Sequence, residues 1–294
     1  STDELLHIAF LGGEPLLNFP LLKKVVEYCK QISADTGKKF SYTITTNGTL
    51  ITDNIEKYLT ENKIVCQISL DGTKEKNDMN RFFRNKKGSY DVIVEKTKSM
   101  RHMNLVTARA TVTPDNSDYK EIFNHLNELE FRAIPIAIAQ NMVDDEQFDK
   151  ILSEYINYIF YFEELILTKQ YAKAKKMTDL VNALEKIEFG NVRNNGCGAG
   201  RTMFAVDIDG TLYPCHRFVG ERKFALGNIW TGSDNSKFLK MINVRNIDKC
   251  SKCWAQNLCL GCCPHENYTN TNNINLASER SCRMAKTIYE KLIS

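Results

Sequence analysis

Eight cysteines lie in the last third of the chain, at Cys197, Cys215, Cys250, Cys253, Cys259, Cys262, Cys263 and Cys282. The densest run reads Cys250-x2-Cys253-x5-Cys259-x3-Cys263. Gaps this short let several thiolates converge, which is what structural zinc or an iron–sulfur cluster requires. Spacing alone leaves both open. His216 and His265 stand close to Cys215 and Cys263, and each reads either as a hydrogen-bond donor to a cluster sulfur or as a packing residue. Cys29 and Cys66 stand apart, one on a helical stripe and one in a strand, and read as small buried hydrophobes.

Disulfides are the weaker use of these thiols. A chain of 294 residues, 43% hydrophobic, can bury a large core without staples and has room for two domains. Cysteine used this way implies a reducing, cytoplasmic compartment. A net charge of +3 selects no partner. No Lys/Arg run is interleaved with aromatics, which argues against nucleic acid. No apolar stretch approaches the ~20 residues of a membrane helix, and no signal peptide precedes the first strand.

The elements that must position these residues alternate along the first two thirds. Candidate strands are His7–Leu11, Ser41–Asn47, Val65–Asp71, Val106–Thr113 and Ala133–Gln140, short and rich in Ile, Val and Thr, as buried parallel strands are. Between them, Leu21–Ile32 carries Leu22, Val25, Val26, Cys29 and Ile32 on one stripe, with Pro20 placed to start it. Asp53 with Glu56 reads as a capping box. Ser89–Met103 and Asp118–Leu129 are two further amphipathic helices. Asp144 to Lys186 reads as one or two long helices, with Phe148, Ile151, Leu152, Tyr155, Ile159 and Phe162 on a core stripe.

Repeated β-α units predict an α/β fold with a parallel sheet and right-handed crossovers. Five strands are too few for a closed eight-stranded barrel, so a partial barrel is expected, with at least one more strand upstream. Around Gly190-Asn191 the sequence turns to turn residues and then cysteines. The domains are therefore placed at 1–189 and 190–294. From Cys197 onward Lys and Arg outnumber Asp and Glu, which suits either an anionic cluster or a solvated face.

Ligands of parallel α/β folds bind at the carboxyl ends of the strands. Here those ends read Gly12-Gly13-Glu14-Pro15, Thr45-Thr46-Asn47-Gly48, Ser69-Leu70-Asp71-Gly72, Thr113-Pro114-Asp115-Asn116 and Gln140-Asn141. Any one is ordinarily a turn. Five polar ends along one edge suggest a binding rim. The paired glycines let backbone approach a ligand closely, and Glu14 can accept hydrogen bonds from an ammonium group.

Gly12-Gly13-Glu14-Pro15 resembles the GGEP motif of radical SAM enzymes, which holds the amino group of S-adenosylmethionine. Thr46-Asn47-Gly48-Thr49 and Ser69-Leu70-Asp71-Gly72 are similar to that family's next strand-end motifs. Asn77-Asp78-Met79-Asn80-Arg81 resembles its following stretch, with Asn77 where His is usual. The resemblance implies that Gly12, Gly13, Glu14, Asn47, Ser69 and Asp71 contact S-adenosylmethionine. Cys197-x12-Gly210-x4-Cys215, the run from Cys250 to Cys263, and Cys282 together resemble the seven-cysteine SPASM extension, which binds two auxiliary 4Fe-4S clusters. Carried over, Cys250, Cys253, Cys259 and Cys282 hold an outer cluster, and Cys197, Cys215 and Cys263 an inner one. The inner cluster is then one ligand short. Cys262, where the family often has glycine, either fills that place or stays unligated.

Radical SAM catalysis also needs a cluster held by Cys-x3-Cys-x2-Cys, and no such triplet occurs in this sequence. The abrupt start leads to the expectation that the first strand and its cluster loop lie upstream of Ser1, and that the chain as given is inactive alone. The resemblance implies a 5′-deoxyadenosyl radical that takes hydrogen from a precursor peptide, and an electron donor such as flavodoxin or ferredoxin. Anaerobic sulfatase maturases carry Asp after the second SPASM cysteine, where this chain has His216. Pro214-Cys215-His216-Arg217-Phe218-Val219-Gly220 is more similar to maturases that close thioether cross-links. The expected activity is thioether formation. The alternatives are another SPASM peptide modification, sulfatase maturation included, and a catalytically inactive peptide-binding homologue.

Overall fold

In the computed structural model, which describes residues 4–190 and 196–294, five short strands form a parallel sheet in sequence order. They are β1 (Leu5–Phe10), β2 (Lys39–Thr46), β3 (Val65–Ser69), β4 (Val106–Val112) and β5 (Ile136–Ile138). Helices join them: α1 (Phe19–Thr36), α2 (Asp53–Glu61), α3 (Lys74–Asn80), α4 (Tyr90–His102) and α5 (Tyr119–Glu128). This is the expected partial β/α barrel, and all five strands fall within three residues of their expected starts. Asn191 and the side chain of Asn141 lie outside the described residues.

Local chemistry sets the helix ends. Asn18 caps α1 ahead of Pro20, and Gly37, at φ 72°, closes it by donating to Ser33 O at 2.9 Å. The expected capping box at Asp53 and Glu56 is corrected. Thr52 is the N-cap of α2, accepting from Ile55 N, and both acids sit inside the first turn. Asp53 serves there through its charge against the helix dipole instead. The expected one or two helices beyond Asp144 are three: α6 (Asp145–Leu167), α7 (Tyr171–Ala174) and α8 (Thr178–Phe189). Asp144 and Gln147 form a capping box at the start of α6.

The strands are not uniformly apolar, which corrects the reading of runs buried on both faces. In β4, Val106, Ala108, Ala110 and Val112 are buried, while Thr107, Arg109 and Thr111 between them are half-buried. β2 and β3 alternate likewise. One face packs on the helices. The other is polar: His7 bridges Ser41 and Thr43 at 2.9 and 3.0 Å, and Thr45 donates to Gln67 at 3.3 Å. A partial barrel leaves that face uncovered by helices, so it carries hydroxyls and amides.

On the packed face, Tyr119 and Phe123 of α5 meet Tyr155 and Tyr158 of α6 with ring centroids 4.9 to 5.9 Å apart. The expected stripe from Phe148 to Phe162 is buried throughout.

The contacts divide the chain between Asp179 and Leu180. The second unit has a four-stranded antiparallel sheet of β6 (Ala205–Val206), β7 (Thr211–Tyr213), β8 (Gly227–Asn228) and β9 (Gly232–Ser233). Short helices follow: α9 (Ser236–Met241), α10 (Asp248–Ser251), α11 (Gln256–Cys259), α12 (Pro264–Thr271) and the longer α13 (Glu279–Ile293). Gly210 turns the β6–β7 hairpin at φ 80°, and a Cβ there would meet Ile229 at 2.9 Å. The motif glycine is thus required by both backbone and packing. Among the described residues, no helix is long and apolar enough to cross a membrane.

Phe123 is fully buried in the aromatic layer. Phe123→Ala is expected to cost about 3–5 kcal/mol, read as a lowered urea midpoint.

Candidate functional site

The rim begins where β1 ends. A Cβ at Gly12 or Gly13 would find nothing within 4 Å, so the backbone there faces open space. Glu14 follows, extended, as the cap of a single 3-10 turn over Pro15–Asn18. One of its carboxylate oxygens accepts from Thr46 Oγ1 at 2.7 Å and from Leu16 N at 3.1 Å. The other accepts from Asn47 N at 2.8 Å. An ionised carboxylate offers about four acceptor sites, so three donors orient Glu14 and leave capacity for one more. Asn47 spends its side-chain oxygen on Thr49 N and Oγ1, at 2.9 and 2.7 Å.

Asp71, almost wholly buried, is held as firmly. Arg81 donates to its two oxygens at 2.6 and 3.1 Å, and Thr111 N donates at 2.9 Å. Its backbone carbonyl accepts from Asn116 Nδ2 at 2.7 Å, and its amide donates to Asn77 Oδ1 at 3.3 Å. Asn77 and Arg81, singled out in the sequence, are thus what fixes Asp71. Ser69 is the last residue of β3, half-buried beside Arg109 of β4. Sequence reasoning placed Thr46 in a strand-end motif without giving it a role, and missed Thr111. Their only signal was a hydroxyl near a strand end.

In the second unit, Cys250, Cys253, Cys259 and Cys282 line one cavity with Lys249 and Lys286. Cys250 lies in α10, Cys259 ends α11 and Cys282 lies in α13. Asn267, fully buried in α12, joins these pieces. Its Nδ2 donates to Gly261 O at 2.8 Å, and its Oδ1 accepts from Ser278 N at 3.1 Å. Tyr289 on α13 donates to Leu258 O at 2.9 Å. Neither residue was legible as part of a thiol site.

Cys262 lies with this group: its sulfur is 3.3 Å from that of Cys259, and either thiol can be the donor. Its neighbours Cys259 and Cys282 raise Cys262 far above an ordinary thiol. Cys262 in turn lowers Cys259 to about 6, against the opposing effect of burial. Cys282 is lowered to about 7, first by the nearby Cys262. Cys250, without such a donor, is pushed up by burial to about 11.

Of the other three thiols, Cys263 contacts an arginine and Cys215 lies near it. Arg217 Nη1 lies 3.4 Å from Cys263 Sγ and 2.9 Å from Glu266 Oε1. Burial alone would lower Arg217, but Glu266 and Cys263 outweigh it. Burial raises Cys215 above an ordinary thiol, and Arg217 offsets this only in part. Cys263 is the N-cap residue of α12; burial raises its thiol too, against the lowering effect of the Glu266 and His265 amides. The Nδ1 of His265 is buried with no partner among the described residues.

These features fit polynuclear clusters. Tetrahedral zinc needs all its sulfurs about 2.3 Å from one point. Among the described residues, no three His, Cys, Asp or Glu side chains converge that way. Thiols spread around a cavity match irons that lie apart, and Lys249, Lys286 and Arg217 offset an anionic cluster.

Residues 2–129 match the radical SAM superfamily, and residues 197–254 match an iron–sulfur cluster-binding domain, SPASM. The chain therefore carries a radical SAM domain and a SPASM domain. A cysteine-type anaerobic sulfatase-maturating enzyme of Clostridium novyi is 27% identical over 97% of this chain and 80% of its own length. The radical SAM cyclopropyl synthase TigE of Paramaledivibacter caminithermalis is 23% identical over 98% of this chain and 60% of its own. The solved structure "Native anSMEcpe with bound AdoMet and Kp18Cys peptide" superposes with a TM-score of 0.81 at 22% identity, covering 99% of this chain and 84% of that one. The two domains specify 4Fe-4S clusters and S-adenosylmethionine as the cofactors.

Asn267→Ala is expected to lower iron bound per chain and to cost about 1–3 kcal/mol, because Gly261 O and Ser278 N lose their partner. Iron assay and thermal unfolding check it. In cluster-free, reduced protein at pH 7, Cys259 is largely and Cys282 about half thiolate, whereas burial holds Cys66 at about 12. Iodoacetamide is expected to label Cys259 and Cys282 well before Cys66, as read by peptide mass spectrometry.

Proposed function

We propose that this protein is a peptide maturase that takes a hydrogen atom from a residue of a ribosomally made peptide and closes a thioether to a peptide cysteine, whose thiol loses its proton while an auxiliary cluster would accept the one remaining electron. In this reading Cys250, Cys253, Cys259 and Cys282 hold the outer cluster, and Cys197, Cys215 and Cys263 the inner one. The observation that carries it is the position of Cys262. Its sulfur lies 3.3 Å from that of Cys259 and so belongs with the outer group. No cysteine occurs between Gly198 and Pro214. Three thiolates for four irons leave one iron to a ligand from outside, and a substrate thiolate is the chemical match.

When bound, the cofactors supply reductive cleavage of S-adenosylmethionine to a 5′-deoxyadenosyl radical, with electrons from a donor such as flavodoxin or ferredoxin. This chain's residues bind, orient and shield. Glu14, fixed by three donors, offers its remaining acceptor site to the amino group of S-adenosylmethionine. Gly12 and Gly13 let the backbone approach it. Asp71, locked by Arg81, fixes the β3 and β4 ends around it, with Asn47 and Ser69 on the same rim. The hydroxyl-lined face of the sheet, from His7 to Thr111, borders the reaction space and keeps bulk water away from the radical. Arg217 balances charge at the inner thiols.

A second reading is formylglycine formation, favoured by the relatives named as sulfatase-maturating enzymes. His216 stands against it, at the position where that branch carries an acid.

The test uses the full gene product, including the segment that supplies Cys-x3-Cys-x2-Cys, with S-adenosylmethionine, reductant and a cysteine-containing precursor peptide. The expected product is lighter by two hydrogen atoms and has lost one alkylatable thiol, with 5′-deoxyadenosine formed. Conversion of a sulfatase-peptide cysteine to formylglycine, with the thioether product absent, would establish the second reading instead.

A further inference from the structure

Cys262 sits in an unusual place. Leu260, Gly261 and Cys262 are three consecutive residues with positive φ, at 57°, 85° and 64°. Two of the three are not glycine, and the left-handed region is sparsely populated by residues with a Cβ. A strained position that keeps a side chain points to a use for that side chain. Here the side chain is a thiol, and its neighbours are two more.

The geometry shows what that thiol does. Its sulfur lies 3.3 Å from Cys259 Sγ, far beyond the ~2.05 Å of a disulfide. Yet Cys262 is not among the residues lining the cavity, which Cys250, Cys253, Cys259 and Cys282 share with Gly261. Four thiols line the space, and the fifth lies against one of them. Once Cys259 is bound to iron it carries no proton, so the hydrogen in this contact belongs to Cys262.

We propose that Cys262 is a hydrogen-bond donor to the ligand sulfur of Cys259 in the outer cluster, and that it makes this cluster easier to reduce. The inference rests on the reading that the four cavity thiols hold that cluster. Its physical basis is charge. Reduction adds an electron to an already anionic centre. A donor on a ligand sulfur stabilises the more negative state and raises the potential, as hydrogen bonds to cluster sulfurs do. Cys262 is a positioning residue in this account: it touches a ligand, not the irons.

The test compares wild-type full gene product with Cys262→Ala, Cys262→Gly and Cys262→Ser, all purified anaerobically. Iron and acid-labile sulfide are measured first, then potentiometric titration followed by electron paramagnetic resonance. Iron and sulfide are expected to be the same in all four. In Cys262→Ala one auxiliary cluster is expected to shift negative. At the wild-type midpoint its reduced-to-oxidised ratio would fall up to about tenfold, or about 59 mV for one electron. Cys262→Ser keeps a donor and should recover most of the shift. Cys262→Gly removes the thiol while relieving the left-handed backbone, and should match Cys262→Ala.

Unchanged potentials in Cys262→Ala overturn the proposal, as does a glycine variant at the wild-type potential, which would assign the shift to backbone strain. Loss of one cluster's iron and sulfide in Cys262→Ala also overturns it, by making Cys262 a ligand. Wild-type protein without auxiliary-cluster iron refutes the cluster reading itself, a result separate from any comparison of variants.

Discussion

Ionised sulfurs repel, and the second unit is built to hold several of them together regardless. Two unit charges 3.3 Å apart, the separation of Cys259 and Cys262, cost about 5 kcal/mol at an effective dielectric constant of 20. The scaffold must outweigh that, or the charge must be neutralised. Both devices are present. Asn267 clamps the loop after α11 to the start of α13, and Tyr289 clamps α13 back to α11. A proton on Cys262 removes one charge, and Lys249 and Lys286 offset others. Iron completes the neutralisation, so cofactor binding and folding of this unit draw on the same free energy.

The two thiol groups are neutralised by different means, and the difference bears on function. The group around Cys259 relies on shared protons and lysines at a cavity wall. The group around Cys263 relies on a guanidinium and on the amides of a helix N-terminus. Fixed dipoles and an always-charged arginine stay in place when a ligand is exchanged, because none of them has to release a proton. A centre that must take and release a substrate thiolate is better served by the second arrangement. A centre that only passes electrons tolerates the first.

Much of the architecture was legible because it rests on periodicity and on covalent spacing. Five β-rich runs gave five parallel strands, and the stripe from Phe148 to Phe162 gave a buried helix face. The resemblance to the SPASM extension, rather than spacing, set Cys250, Cys253 and Cys259 apart from Cys263, and the cavity that those three line does not include Cys263. What escaped depends on three dimensions. Asn267 is an unremarkable residue in a polar stretch, and only its burial between two chain segments gives it a role. The capping assignment at α2 slipped by one residue, because Thr52, Asp53 and Glu56 offer competing oxygens. The alternation of β4 was hidden because Ala108 and Ala110 on its packed side are as small as the threonines opposite. The place of Cys262 followed from a run of positive φ angles that no composition signals.

The strand-end rim and the inner thiols share a design feature. Glu14 is fixed by Thr46, Leu16 and Asn47 yet keeps about one acceptor site, and the group of Cys197, Cys215 and Cys263 has three sulfurs where four irons would take four. In each, the protein supplies all partners but one in a rigid setting. A group so held gains affinity because its orientation is fixed before the ligand arrives. On the proposed reading the missing partners are the ammonium of S-adenosylmethionine at one site and a peptide sulfur at the other. Selectivity then follows from valence as well as shape. A peptide lacking cysteine leaves an iron unsatisfied, and an adenosyl ligand lacking the amino group leaves the half-buried Glu14 carboxylate short of a donor.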